Sequence, residues 1–391
     1  MSQSFPDGFL WGAATAAHQV EGGNSNNDWW AFEQRPESGT LEPSGDACDS
    51  YHRYREDHEV VQALGMNAYR FSLEWSRIEP EEGQWSLAAL DHYARVCDDL
   101  LERGLLPVVT FHHFSNPRWL AERGAWADSG TPELFARFCQ RAARHLGDRI
   151  GLACTINEPN VAASMGYADG RFPPGLKDHR LRREVNGIFA RGHRLAYDAI
   201  KGVRPELRTG MTLSMHAPHV QAGGEALAAS FLAEMEDPFL DAVRGDDFLG
   251  VQTYTRVQFG PEGVVMPDES TRTTLMGYEF YPEALEDCLR RAWEYTGGST
   301  PLMVTENGIS TNDDEDRIEY TERALEGVLR CLADGIPISG YLHWSLLDNF
   351  EWCFGYEQRF GLTEVDRSSF KRTPKPSAYR LGQIARANAL P

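Results

Sequence analysis

Glu158 and Glu306 are the side chains whose setting in this sequence most suggests chemistry. Glu158 stands between Asn157 and Pro159, directly after the apolar run Leu152 to Ile156; Glu306 follows Leu302 to Thr305 and precedes Asn307-Gly308. Each is a carboxyl group where an apolar strand runs into a turn. Two such groups meeting across a pocket can act as acid and nucleophile in glycoside hydrolysis. Either glutamate alone reads as readily as a salt-bridged or capping residue. The company of Arg70, Asn157 and aromatic residues at other strand ends favours the catalytic reading.

Those other ends carry Gln19 and Glu21, Arg70 and Glu74, His112 and His113, Tyr254, and Trp344. Gathered at one rim, they would line a polar, aromatic pocket suited to a sugar, with ring faces against C–H surfaces and carboxylates and amides against hydroxyls. The stretch His343 to Trp352 leaves the last strand with Glu351 between Phe350 and Trp352, which points to sugar contact by Trp344 and Trp352. Trp11, Trp75 and Trp293 read as packing residues, and Trp29-Trp30 as a pin for the first long loop. His112 and His113 are adjacent in a strand and point to opposite faces, so they cannot both ligate one metal, although one can serve the pocket. There is no HExxH pattern, no close thiolate pair and no phosphate-binding loop, so neither a metal nor a cofactor is expected.

Eight apolar runs supply the elements that would position these groups: Phe9 to Thr15, Asn67 to Leu73, Leu105 to Phe111, Leu152 to Ile156, Thr209 to Ser214, Phe248 to Tyr254, Leu302 to Thr305, and Ile338 to Trp344. Helical spacing lies between them in Tyr51 to Leu64, Leu87 to Arg103, Pro132 to Leu146, Arg183 to Lys201, Pro282 to Tyr295 and Ile318 to Ala333. Thr131 and Tyr281 read as caps before Pro132 and Pro282, and Gly65, Gly104 and Gly147 as helix stops. This βα repetition predicts an α/β fold, one (β/α)8 TIM barrel over residues 1–391, with its site at the C-terminal ends of the strands. The segments Glu21 to Ser50, Ser115 to Ser129, Asn160 to His179 and Gly260 to Gly277 then become loops around that rim.

At 391 residues the chain can close one large core, and its formal charge of −20 sets a field that repels nucleic acid and anionic membranes. The basic segment Arg180 to Arg183 reads as a solvated surface turn beside Asp178 and Glu184. The opening Met1 to Asp7 has no basic stretch followed by an apolar one, and no run approaches a membrane span, so a soluble cytoplasmic protein is expected. The seven cysteines, at 48, 97, 139, 154, 288, 331 and 353, are scattered and odd in number, as expected of reduced thiols. Monomer and homodimer are both compatible with the sequence.

The chain resembles glycoside hydrolase family 1, the β-glucosidase-like retaining enzymes, almost end to end. The resemblance is carried by Phe9 to Thr15, Tyr69 to Ile78, Thr155-Ile156-Asn157-Glu158-Pro159, Val304-Thr305-Glu306-Asn307-Gly308, Trp344 to Trp352 and Lys375 to Ser377. It implies that Glu306 is the nucleophile and Glu158 the acid that later becomes the base. It places Gln19, His113, Asn157, Glu351 and Trp352 around the terminal sugar over Trp344, with Arg70 and Tyr254 holding the nucleophile. A retaining mechanism implies carboxyl groups about 5–5.5 Å apart. The implied activity is release of a terminal unphosphorylated β-D-glucosyl residue, with galactoside, fucoside or transglycosylation activity as alternatives and a noncatalytic sugar-binding barrel as the rival class. Glu351 favours an unphosphorylated sugar, because a phosphate would meet its charge. Three features depart from the family pattern: Gln252-Thr253-Tyr254 replaces the usual Asn-Tyr-Tyr, Phe114 replaces a tryptophan, and Asn160 replaces a bulky aromatic. Phe114, Asn160 and a short connection between the sixth and seventh strands imply an altered, less enclosed leaving-group site, and Gln252 a retuned nucleophile.

Overall fold

The apolar runs pair side by side and leave no free edge. The computed structural model describes residues 4–391; residues 1–3, at the head of the opening segment, lie outside the described residues. The barrel strands are β1 (Leu10–Ala14), β2 (Ala68–Ser72), β3 (Leu106–His112), β4 (Leu152–Asn157), β5 (Thr209–Ser214), β6 (Phe248–Thr253), β7 (Leu302–Asn307) and β8 (Ile338–Trp344). They form a closed parallel barrel of eight strands in chain order, sealed by β1 against β8 from Leu10 opposite Gly340 to Ala14 opposite Trp344. The strands are apolar throughout because both faces are covered. Ala68, Val108, Leu152, Cys154, Phe248 and Met303 come from five of the strands and form one cluster with no helical member, so they fill the inside. A much larger cluster joins the outer strand faces to the helices. Ala14, Ala16, Trp344 and Phe360 form a third, at the C-terminal rim.

The expected helices are present as Ser50–Ala63, Leu87–Glu102, Thr131–Leu146, His179–Val203, Ala284–Tyr295 and Asp314–Ala333. The two expected caps differ from the sequence reading, and the fourth and sixth helices begin four residues earlier than their apolar spacing implied. Thr131 is itself the first helical residue, its hydroxyl donating to the Ala125 carbonyl at 2.6 Å, and Pro282 lies ahead of a helix that begins at Ala284. Arg180 to Arg183 forms the first turn of the fourth helix, with Arg180 and Arg183 exposed as expected. Asp178 caps that helix by accepting from the Arg180 and Leu181 amides at 2.8 and 3.1 Å, and Arg182 is buried against Glu234.

Further elements lie outside the barrel. A three-stranded sheet joins Ala217–Val220, Arg256–Gly260 and Gly263–Val265, the last inside a segment expected to be a loop. A terminal helix, Pro376–Ala387, is tied to the sixth helix by Ser377, whose amide and hydroxyl donate to Asp314 at 2.6 and 2.8 Å.

Strand irregularity matters most where the glutamates emerge. Cys154 pairs with Gly210 of β5 but Asn157 with Thr212; Val304 pairs with Val251 of β6 but Glu306 with Gln252. Both β4 and β7 therefore carry one residue more than the neighbour they pair with. Such a bulge reverses the alternation of side chains beyond it. Met303 and Glu306 thus both face the barrel axis, although they are three residues apart.

Candidate active site

Arg70 organises the floor. Its guanidinium, carried by the middle residue of β2, is wholly buried and spends its donors on four strands. Nε donates to Thr110 Oγ1 at 3.0 Å, Nη1 to Glu306 Oε1 at 2.5 Å, and Nη2 to Asn157 Oδ1 at 2.6 Å and Thr212 Oγ1 at 3.3 Å. A planar fork with five N–H groups can fix several acceptors at once, which a lysine cannot do. Glu306 gains a second donor in the Tyr254 hydroxyl, 2.6 Å from Oε2. That phenol stays protonated because burial, then the charge of Glu306, raises its pKa well above the ordinary value.

Glu158 has a contrasting setting. It has left-handed backbone (φ 41°) and precedes Pro159, the first residue of the short helix Pro159–Ala163. Its amide donates to the Thr212 carbonyl at 2.9 Å, which ties the turn to β5, while its Oε1 is buried with no partner among the described residues. Burial raises the pKa of both glutamates. Glu158 is pushed well above the usual carboxylate range, by burial and then by the charge on Glu306. At Glu306, Arg70 and Tyr254 oppose the effect of burial. The pair titrates as a unit, and its shared proton belongs on Glu158, which neither Arg70 nor Tyr254 holds by a hydrogen bond.

The wall beside them is aromatic and amide-rich. Asn157 Oδ1 accepts from Arg70 and from Gln252 Nε2, at 2.9 Å for the latter, so its amide nitrogen must face His113 Nε2 at 3.1 Å. His113 Nε2 is therefore an acceptor and the ring proton sits on Nδ1, which has no partner in the protein and is available to a ligand oxygen. Burial, then the positive charge of Arg70, keeps that ring neutral. Gln19 Nε2 donates to the Phe350 carbonyl at 2.8 Å and to Glu351 Oε2 at 3.2 Å, leaving Gln19 Oε1 buried and free. Glu351 is pushed up to about 8 by burial and by the charge of Glu306. The rings of Trp344 and Trp352 lie 5.8 and 6.1 Å from that of His113, nearly parallel to it. Gly308 allows the turn after Glu306 to lie flat on β8, since a Cβ there would come 2.1 Å from the Trp344 carbonyl oxygen.

Glu158, Glu306, Tyr254, Glu351, Trp344 and Trp352 share one cavity of about 530 Å³, with His113 and Phe114 also on its wall. Gln19, Arg70, Asn157 and Gln252 lie one layer beneath, fully covered. Asn160 departs from expectation: its side chain is wholly buried and donates to the Ser214 carbonyl at 2.7 Å, so it braces β5 and Val161 takes the place at the cavity wall. The helix that Pro159 starts turns position 160 inward. Glu21 and Glu74 are also drawn away, Glu21 to Arg77 and Tyr93 and Glu74 to Ser76 and Ser115. His112 points outward to Asn116 at 3.0 Å. The connection between β6 and β7 supplies wall residues such as Val264, Met276 and Tyr278. Phe172, Met215 and Phe360 also face the cavity and carry no signal in the sequence beyond being apolar. Among the described residues no cluster of His, Cys, Asp and Glu has the makings of a metal site.

A family model for glycosyl hydrolase family 1 matches residues 1–246 and 241–390. Beta-glucosidase A of Thermotoga maritima is 31% identical over 442 aligned positions, covering 99% of each chain. The alignment is longer than the 391 residues present here, so stretches of that relative have no counterpart in this chain. A bifunctional beta-D-glucosidase/beta-D-fucosidase of Bifidobacterium breve is 31% identical over 447 positions, covering 96% of this chain and 97% of its own. Among solved structures, the beta-glycosidase BGL167 superposes with a TM-score of 0.92 at 48% identity, covering 99% of this chain and 98% of its own.

Proposed function

Since the chain belongs to glycosyl hydrolase family 1, we propose that it is a retaining β-glucosidase acting on terminal, unphosphorylated β-D-glucosyl residues. The observation that carries this reading is the asymmetry of the two carboxyl groups in one cavity: Glu306 is fixed by Arg70 and Tyr254, and Glu158 Oε1 has no partner among the described residues. Glu306 attacks the anomeric carbon as Glu158 gives its proton to the departing oxygen. The ester formed neutralises Glu306, removing the charge that held up the proton affinity of Glu158. Glu158 then takes a proton from water, which displaces Glu306 with net retention. His113 Nδ1 and Glu351 supply a donor and acceptors to the sugar hydroxyls, Gln19 holds Glu351 from beneath, and Trp344 and Trp352 supply ring faces.

The bifunctional relative supports a site that also accepts β-D-fucosides. Seven unpaired, buried cysteines support work in a reducing, cytoplasmic setting. The test is time-dependent release of glucose from an aryl β-glucoside, followed by NMR of the first-formed anomer. A folded protein that releases no sugar, or releases the α-anomer first, refutes the reading.

A further inference from the structure

Beyond the sugar pocket the cavity changes character. Val161 and Met165 follow β4, Met215 follows β5, Met235 ends the helix Glu225–Met235, and Phe172 and Met276 complete this outer wall. With Met266 on the rim, five of the chain's nine methionines face one cavity. Polar side chains in this part are mostly committed elsewhere. Arg256 donates to Glu279 at 2.6 and 2.9 Å, Gln258 donates to the same carboxylate at 3.1 Å, and Ser164 is turned to the Met235 sulfur at 3.1 Å. His216 lies 3.2 Å from Glu236, while Asp169 and Arg171 stand at the edge.

From this lining we infer that the outer cavity is a leaving-group subsite for flexible apolar alcohols rather than for a second sugar. A sugar ring here would give up the hydration of its hydroxyls and find few groups to replace it. An alkyl chain loses nothing comparable. Methionine side chains are unbranched and polarizable, and they adjust to apolar ligands of differing shape. The inference rests on the glycosidase reading above, because it assigns the group that departs from the anomeric carbon.

Binding calorimetry with uncleavable β-D-thioglucosides from methyl to octyl separates the two claims. Affinity is expected to rise roughly fourfold per methylene over the first few carbons, the factor expected for burial of a CH2. In kinetics, kcat/KM for octyl β-glucoside should exceed that for cellobiose by about tenfold, the equivalent of fewer than two such methylenes. Met165→Gln and Met276→Gln should flatten the chain-length series, weakening the octyl compound more than the methyl compound. Met266 is 73% exposed, so Met266→Gln cannot disturb the fold, and it should weaken only the longest chains. A flat series, or preference for cellobiose, with aryl glucoside hydrolysis intact, overturns the subsite and leaves the glycosidase standing. Failure of every thioglucoside to bind, with no hydrolysis, overturns both.

Discussion

Glu158 and Glu306 are the same residue type, and the donors around each divide their roles. Glu306→Ala should abolish nearly all turnover while keeping the fold, because the bond to the anomeric carbon has no partner. Added azide or formate should restore part of it on an activated glycoside and give product of inverted configuration, read by NMR; wild-type activity in a folded variant would remove the nucleophile assignment. For Glu158 the sign of the pH effect follows from its raised pKa. The protonated form is the acid, so activity falls as pH rises through that pKa. Glu158→Gln should erase this alkaline limb and slow substrates with poor leaving groups far more than those with good ones, in a leaving-group series of kcat/KM. Glu351→Gln should weaken glucoside binding by about 1–3 kcal/mol, and weaken a xyloside, which lacks the outer hydroxymethyl group, by less. Glutamine mimics the protonated acid, so the penalty should grow as pH rises through about 8, where Glu351 ionises. A penalty that is equal for both sugars and independent of pH would show that Glu351 does not read that part of the ring.

At the scale of elements, the eight strands were legible almost to the residue, because strands covered on both faces are unbroken apolar runs. The direction of the side chains at their ends was not. Met303 lies inside the barrel, and strict alternation from it would aim Thr305 inward and Glu306 at the helices; the extra residue on β7 reverses this, and the extra residue on β4 likewise turns Asn157 inward. The apolar runs placed both glutamates at strand ends but did not say which way they face. Asn160 failed for the same kind of reason, since the turn at Glu158, with φ at 41°, sends the next helix off at an angle that no periodicity reports. The left-handed residues Phe114, Glu158 and Trp352 cost about 1–3 kcal/mol each, held by the packing around the cavity. Asn160→Ala should lower stability by about 1–3 kcal/mol in denaturant titration, because the Ser214 carbonyl loses its donor, and should leave the leaving-group preference unchanged. A changed preference at unchanged stability would return Asn160 to the subsite.

For the whole molecule, the parts of the cavity least legible in the sequence are those assembled from furthest apart. Met215, Met276, Phe172 and Phe360 come from four separate segments, and each is locally just another apolar residue. All seven cysteines are buried and unpaired, with burial pushing thiols such as Cys48 and Cys97 up to about 12. A thiol reagent should therefore reach six of the seven only after unfolding, while Cys353, on the cavity wall beside Trp352, is the one thiol a small reagent can meet in the native protein; more than one fast-reacting thiol would contradict this packing. The seal between β1 and β8 bears on how the protein is made. At roughly 5–20 residues per second, β8 leaves the ribosome on the order of half a minute after β1. Throughout that interval one side of β1 is an unpaired strand edge, the kind of surface on which nascent chains join one another. A cell making this protein in quantity must shield that edge for as long as translation lasts, so its yield should depend on chaperone supply even though the finished barrel exposes no edge at all.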